Sequence, residues 1–149
     1  MLEAMTTSAQ QSGAAPTPAR LMDQLAQAAA AYYRNFAAVA AGHGLTLMQG
    51  KMLSLLSRPM PMRTLAELLT CDASNVTGIV GRLESRGLVR REVDQADRRI
   101  KNVTLTEQGE AVVRLIRAEL MSGLTGLERL DERERRDFQQ LLGRVFPAG

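Results

Sequence analysis

The sequence contains no tryptophan, one histidine and one cysteine, and aromatic residues fill only 3% of its 149 positions. Each scarcity removes a class of function. A lone cysteine, Cys71, cannot form a disulfide within the chain, so the fold must rest on an ordinary hydrophobic core. His43, with no cysteine near it, does not make a zinc site, and no metal or cofactor is expected. No nucleophile, histidine and acid fall into a catalytic arrangement, and no glycine-rich phosphate loop occurs, so an enzyme is not expected. No apolar run approaches the roughly 20 residues of a membrane span, and no membrane partner is expected. The first residues lack a basic start followed by an apolar stretch, so a cytoplasmic protein is the expectation.

What is abundant is equally directional. Hydrophobic residues are 45% and charged residues 23% of the chain, and the apolar share is dominated by good helix formers, Ala, Leu and Met. The expected class is mainly α, an α+β chain with a small β part. Residues 1–18, rich in Ala, Ser, Thr, Gln, Gly and Pro, read as a disordered tail, and residues 19–149 read as one domain. The net charge of +3 is unevenly spread: residues 58–101 hold nine Lys/Arg against six Asp/Glu, and residues 102–149 hold seven against eight. A local basic excess is what a phosphate-facing segment carries.

Periodicity orders the elements. From about Pro18 to Ala41, Leu21, Leu25, Tyr32, Phe36 and Val39 recur at helical spacing with almost no charge between them, so this helix needs cover on more than one face. Thr46-Leu-Met-Gln49 reads as a capping box opening a second helix to about Ser57. Thr64-Leu-Ala-Glu67 reads as another, opening a short helix to Leu69. Asp72 is the expected N-cap of a fourth helix, Ala73 to Arg86, with Val76, Ile79, Val80 and Leu83 as its buried stripe. After Gly87 the period changes to that of a hairpin, Leu88–Val93 and Ile100–Leu105 around a charged turn. A long helix from Thr106 to about Leu127 and a last amphipathic helix opened by Asp131 complete the order: four helices, a hairpin, two helices.

The third and fourth helices, joined by a tight turn, make a helix-turn-helix, and the hairpin that follows makes a wing. In such a unit the second helix enters the major groove. Its outward face carries Ser74, Asn75, Thr77, Gly78, Gly81 and Arg82, small hydrogen-bonding groups and one cation where a solvated helix would carry Glu–Lys pairs. The wing tip offers Arg98, Arg99 and Lys101, which suit the minor groove. Asp97, two positions before Arg99, can hold that side chain extended. Thr64 completes the set of candidate DNA contacts.

These motifs carry a resemblance. Asp97-Arg-Arg99, five residues to Thr104 and then Leu105-Thr106 fit the D-x-R-x5-L-T pattern of the MarR (multiple antibiotic resistance regulator) family. Leu65-Ala-Glu-Leu-Leu69, Arg86-Gly-Leu-Val-Arg90 and Gly109 look like the same family, and the helix order resembles it from about Arg20 to Phe146. The resemblance implies a winged helix-turn-helix lobe over residues 46–106, flanked by dimerisation helices over 19–44 and 107–149. It further implies a homodimer on a near-palindromic operator in double-stranded DNA, acting as a repressor and released by a small aromatic or phenolic effector. It places Arg99 in the minor groove with Asp97 as its salt-bridge partner. One position departs from the pattern: Gly78 stands where the family often has a long basic residue.

Five residues are candidates for the effector site: Tyr33, Arg34, His43, Met48 and Met52. Each also has a plain structural reading, as core, interface or turn. Two alternatives to a ligand-released repressor remain open at this point. One is a thiol sensor through Cys71 beside the fourth helix, and the other is a winged helix used for protein contact without DNA.

Overall fold

The computed structural model describes residues 14–147. Most of the tail expected over residues 1–18 therefore lies outside the described residues; Ala14 to Thr17 form no helix or strand. The chain divides into two compact units, Met1–Tyr32 and Tyr33–Gly149. In the first, the described residues enter helix α1 (Pro18–Gly42), and all are exposed except the half-buried Leu25 and Tyr32.

The second unit holds the winged-helix body. Helix α2 (Leu47–Leu55) follows the end of α1, then strand β1 (Met60–Pro61), helices α3 (Met62–Leu69) and α4 (Ala73–Ser85), strands β2 (Val89–Val93) and β3 (Lys101–Leu105), and helices α5 (Glu107–Ser122), α6 (Thr125–Glu128) and α7 (Glu132–Val145). The three strands form one antiparallel sheet in the order β1-β3-β2. Val89 pairs with Leu105 and Val93 with Lys101, while Met60 faces Val103 from the other side.

The core is built from Leu45, Met52, Leu53, Leu65, Leu69, Val76, Val80, Leu83, Leu88, Val103 and Ile116, all buried. Phe36 and Ala40 lie so close to Gly50 that a side chain there would crowd them, which fixes the approach of α1 and α2. Gly109 is a tighter case. A Cβ on it would overlap the Leu88 carbonyl, so α5 packs directly on the backbone that enters the wing. Gly87, at φ 70°, supplies the left-handed residue that ends α4, with the Leu88 amide bonded back to the Leu83 carbonyl.

Several expected boundaries are corrected. The short strand Met60–Pro61 and the one-turn helix Thr125–Glu128 were not anticipated; neither is long enough to show a period. The fifth helix stops at Ser122, not near Leu127, because glycines at 123 and 126 weaken its continuation. The expected capping box at Thr64 does not form: α3 begins two residues earlier, after Pro61, and Glu67 pairs with Arg63 instead. The box at Thr46 forms as expected, and Asp131 opens the last helix as expected, through a capping box with Glu134. In the stripe of α4, Ile79 is only half-buried, while Val76, Val80 and Leu83 are fully so.

Candidate nucleic-acid interface

Helix α4 is fixed at its start by Asp72, whose carboxylate accepts from the Asn75 amide at 2.8 Å and the Ser74 hydroxyl at 2.7 Å. Those two bonds, the Asn75 amide first, hold the Asp72 carboxyl below its ordinary value. The Thr77 hydroxyl donates to the Ala73 carbonyl at 2.9 Å. The protons of Ser74 and Thr77 are thus engaged within the helix, and their oxygens are left as acceptors. Asn75 keeps its side-chain amide exposed, with both donor and acceptor on offer. Arg82 is exposed on the same helix. Nothing lies within 4 Å of where a Cβ would stand on Gly78 or Gly81, so this face is open as well as small.

The wing is held by a residue that sequence reasoning passed over. Asp94 accepts from the amides of Ala96 and Asp97 at 2.8 and 2.9 Å and from the Asn102 side-chain amide at 2.8 Å. The Asp97 amide leads the causes that lower the Asp94 carboxyl below its ordinary value, followed by Asn102 and Ala96. An aspartate at the first position of a turn, bonding amides two and three residues on, is the available signal. The backbone closes the loop, with the Asp94 amide donating to the Ile100 carbonyl at 2.9 Å.

This arrangement corrects the expected role of Asp97. Its carboxylate accepts from the Arg99 backbone amide at 3.0 Å, and no ion pair to the Arg99 guanidinium forms. The two residues are too close along a tight turn, and the amide reaches the carboxylate first. Among the described residues Arg98, Arg99 and Lys101 have no ion pair, whereas Arg90 and Arg91 at the base of the wing are paired with Glu92 and Glu84. The unpaired cations sit at the tip, where they project.

Thr64 and the wing are brought together. A cleft of about 570 Å³ is lined by Pro61, Met62, Arg63, Thr64, Arg99, Ile100 and Lys101. Arg63, also missed from sequence, adds a third cation to this groove between α3 and the wing. The effector candidates are not gathered in this way. Met52 is fully buried, Met48 and His43 are half-buried, and Tyr33 and Arg34 are exposed, with the Lys51 ammonium 4.6 Å from the centre of the Tyr33 ring. A separate cleft of about 250 Å³ between α2 and α5 is lined by other residues, among them Leu53, Leu56, Val113, Arg114 and Arg117. Cys71 is a free, half-buried thiol.

Comparison with known proteins bears on this geometry. The sequence profile of the MarR family matches residues 45–101, the stretch from α2 to the start of β3. A probable transcriptional regulator from Pseudomonas aeruginosa, of known crystal structure, is 31% identical, with a TM-score of 0.57 over 85% of this chain and 100% of that one. The chain belongs to the MarR family. It is accordingly a winged helix-turn-helix DNA-binding transcription regulator and not an enzyme. The transcriptional activatory protein BadR of Rhodopseudomonas palustris is 36% identical over 98 residues, 62% of this chain and 56% of BadR, so the chain spans little more than half of that relative. The crystal structure of CouR from Rhodococcus jostii RHA1 bound to p-coumaroyl-CoA shares the fold, with a TM-score of 0.71 and 23% identity over 87% of this chain and 94% of that one. Among the described residues no helix is long and apolar enough to cross a membrane.

Proposed function

We propose that this MarR-family regulator binds a near-palindromic operator as a homodimer, each protomer reading one half-site with α4 in the major groove and the wing in the adjacent minor groove. The observation that carries this reading is the contrast in charge pairing along the wing. Cations at its base are neutralised by neighbours, and those at its tip, Arg98, Arg99 and Lys101, are not. Arg99 enters the minor groove. Asn75, with Ser74, Thr77 and Arg82, contacts base edges and phosphates, and Gly78 lets the duplex approach. Thr64 and Asp97 act through the backbone positions they hold beside the groove.

The regulator acts as a repressor that a small aromatic effector releases. The cleft between α2 and α5 supports this, since it combines apolar walls with Arg114 and Arg117 and suits an aromatic acid or its thioester. That CouR binds p-coumaroyl-CoA agrees in ligand class. The name of BadR favours a second reading, activation in place of repression. The choice depends on where the operator lies relative to the promoter.

Selection of bound duplexes from a random pool tests both halves, repeated with hydroxycinnamic and benzoic acids, their thioesters, and peroxide as a probe of Cys71. The expected product is an inverted repeat with half-sites about one helical turn apart. Replacing Arg99 by Ala is expected to weaken binding to the selected duplex at least about tenfold and to leave self-association intact. Unchanged affinity in a gel-shift titration removes Arg99 from the interface.

A further inference from the structure

Arg86 caps the C-terminal end of α4. By sequence it belongs to the basic segment, and the side chain is exposed, yet its guanidinium is already engaged within the chain. Nη1 donates to the Gly44 carbonyl at 2.6 Å and Nη2 to the His43 carbonyl at 3.0 Å. Both acceptors lie in the turn between α1 and α2, more than 40 residues earlier in the chain. Gly44 is the left-handed residue that ends α1, at φ 69°. The two carbonyls lie just past that helix end, where oxygens lack intrahelical partners and a planar fork of donors can supply them. The same turn is held from a second side. His43 Nε2 lies 2.9 Å from Glu119 Oε1 of α5, and the histidine side chain is only 18% exposed.

The geometry points to Arg86 as a positioning residue for DNA reading. It touches no DNA itself, but it ties the far end of the recognition helix to the α1–α2 turn, and His43 ties that turn to α5. The inference rests on the reading of α4 as the groove-entering helix. Helix α4 is 13 residues long, so at about 1.5 Å per residue a tilt of a few degrees at the Arg86 end shifts Asn75 by roughly 1 Å. That is enough to spoil a base-edge hydrogen bond, whose useful range is about 0.5 Å. Specific binding should therefore suffer when the fork is lost, and non-specific binding to the phosphate backbone should not.

The test titrates the wild type, Arg86→Ala and Arg86→Lys against a duplex recovered from selection with the wild type and against an unrelated duplex, over a range of salt. Both variants are expected to lose about tenfold in affinity for the selected duplex and little for the unrelated one, with the salt slope unchanged. Lysine fails to rescue because a single ammonium does not reproduce a fork to two carbonyls. A direct phosphate contact gives the opposite pattern: lysine restores affinity, and the alanine variant loses about one unit of salt slope on both duplexes. That pattern overturns the inference, and so does unchanged affinity of both variants. Should Arg86→Ala not fold, Arg86→Lys, checked by its melting curve, decides the same question alone. Arg99→Ala run alongside separates the two readings, since its failure to weaken binding counts against the wing and not against Arg86.

Discussion

The winged-helix body and the C-terminal helix treat apolar residues in opposite ways. In the body most large aliphatic side chains turn inward, with ten between Met52 and Ile116 wholly covered and only Leu68, Val93 and Ile100 exposed between Leu45 and Val103. In α7 and the residue after it, Phe138, Leu141, Leu142, Val145 and Phe146 stand on one side, and all are 39% or more exposed. The capping box at Asp131 and the ion pairs Arg133–Asp137 and Arg136–Glu132 keep α7 helical in spite of this. The body finishes its own core, and α7 presents the surface of a core that needs another partner. The proposed reading of two half-sites has a use for each: a rigid reading head, and an apolar face to join two heads.

The strongest way to break the closed side is at Gly109. A methyl group there collides with the Leu88 carbonyl, which is backbone and cannot swing aside, and also crowds the end of the Leu105 side chain. Gly109→Ala is expected to cost about 3 kcal/mol of folding stability, read as a shift of the urea midpoint without a change in slope. Wild-type stability in that variant shows that α5 can move off the wing and that the link between them is not rigid.

The open side breaks differently. Replacing Phe138 and Leu141 together by Glu should leave the body folded and abolish the proposed dimer. Burying each such side chain is worth about 2 kcal/mol, so self-association is expected to weaken by roughly a hundredfold or more. Sedimentation at several concentrations reports this directly, and DNA affinity should fall with it as two half-sites become one. A variant that remains dimeric means that α7 does not carry the interface.

Legibility in the sequence followed the same divide. The stripe Val76, Val80 and Leu83 and the cap Asp72 were readable because a helix with one buried face writes its period and its start into the chain. Gly87 was readable as its stop for a similar reason. The last helix was equally clear as an amphipath, but sequence alone did not reveal that its apolar side stays open within one chain. What escaped notice is short or relational. Met60–Pro61 is too brief for alternation. Thr64 has the residues of a cap, but Pro61 lies upstream and the helix starts after it. Thr70 adopts φ 52° between α3 and α4, a left-handed position that threonine rarely occupies and that no local pattern announced. At the interface, Arg98, Arg99 and Lys101 were read from charge. Arg63 and Arg86 meet the wing and the α1–α2 turn only through the fold, whereas Asp94 bonds amides two and three residues on, a local signal easily passed over beside so many charges.

The smallest expected effect separates the two kinds of exposed face. On α7 the exposed groups are large and apolar, as a protein partner requires; on α4 they are small and polar. Gly78 is the extreme case, a glycine in the interior of a helix with open space where its side chain would be. For the folded chain alone it is a poor choice, since alanine there should stabilise the helix by about 1 kcal/mol, or about 3 °C in the melting midpoint. If the bare backbone exists to let the duplex come close, Gly78→Ala raises the melting temperature and weakens binding to the selected operator about threefold. Opposite signs in the two measurements are the signature of a face shaped for DNA. A variant that is both more stable and equally tight shows that the glycine serves neither, and leaves base reading to Asn75 and the wing.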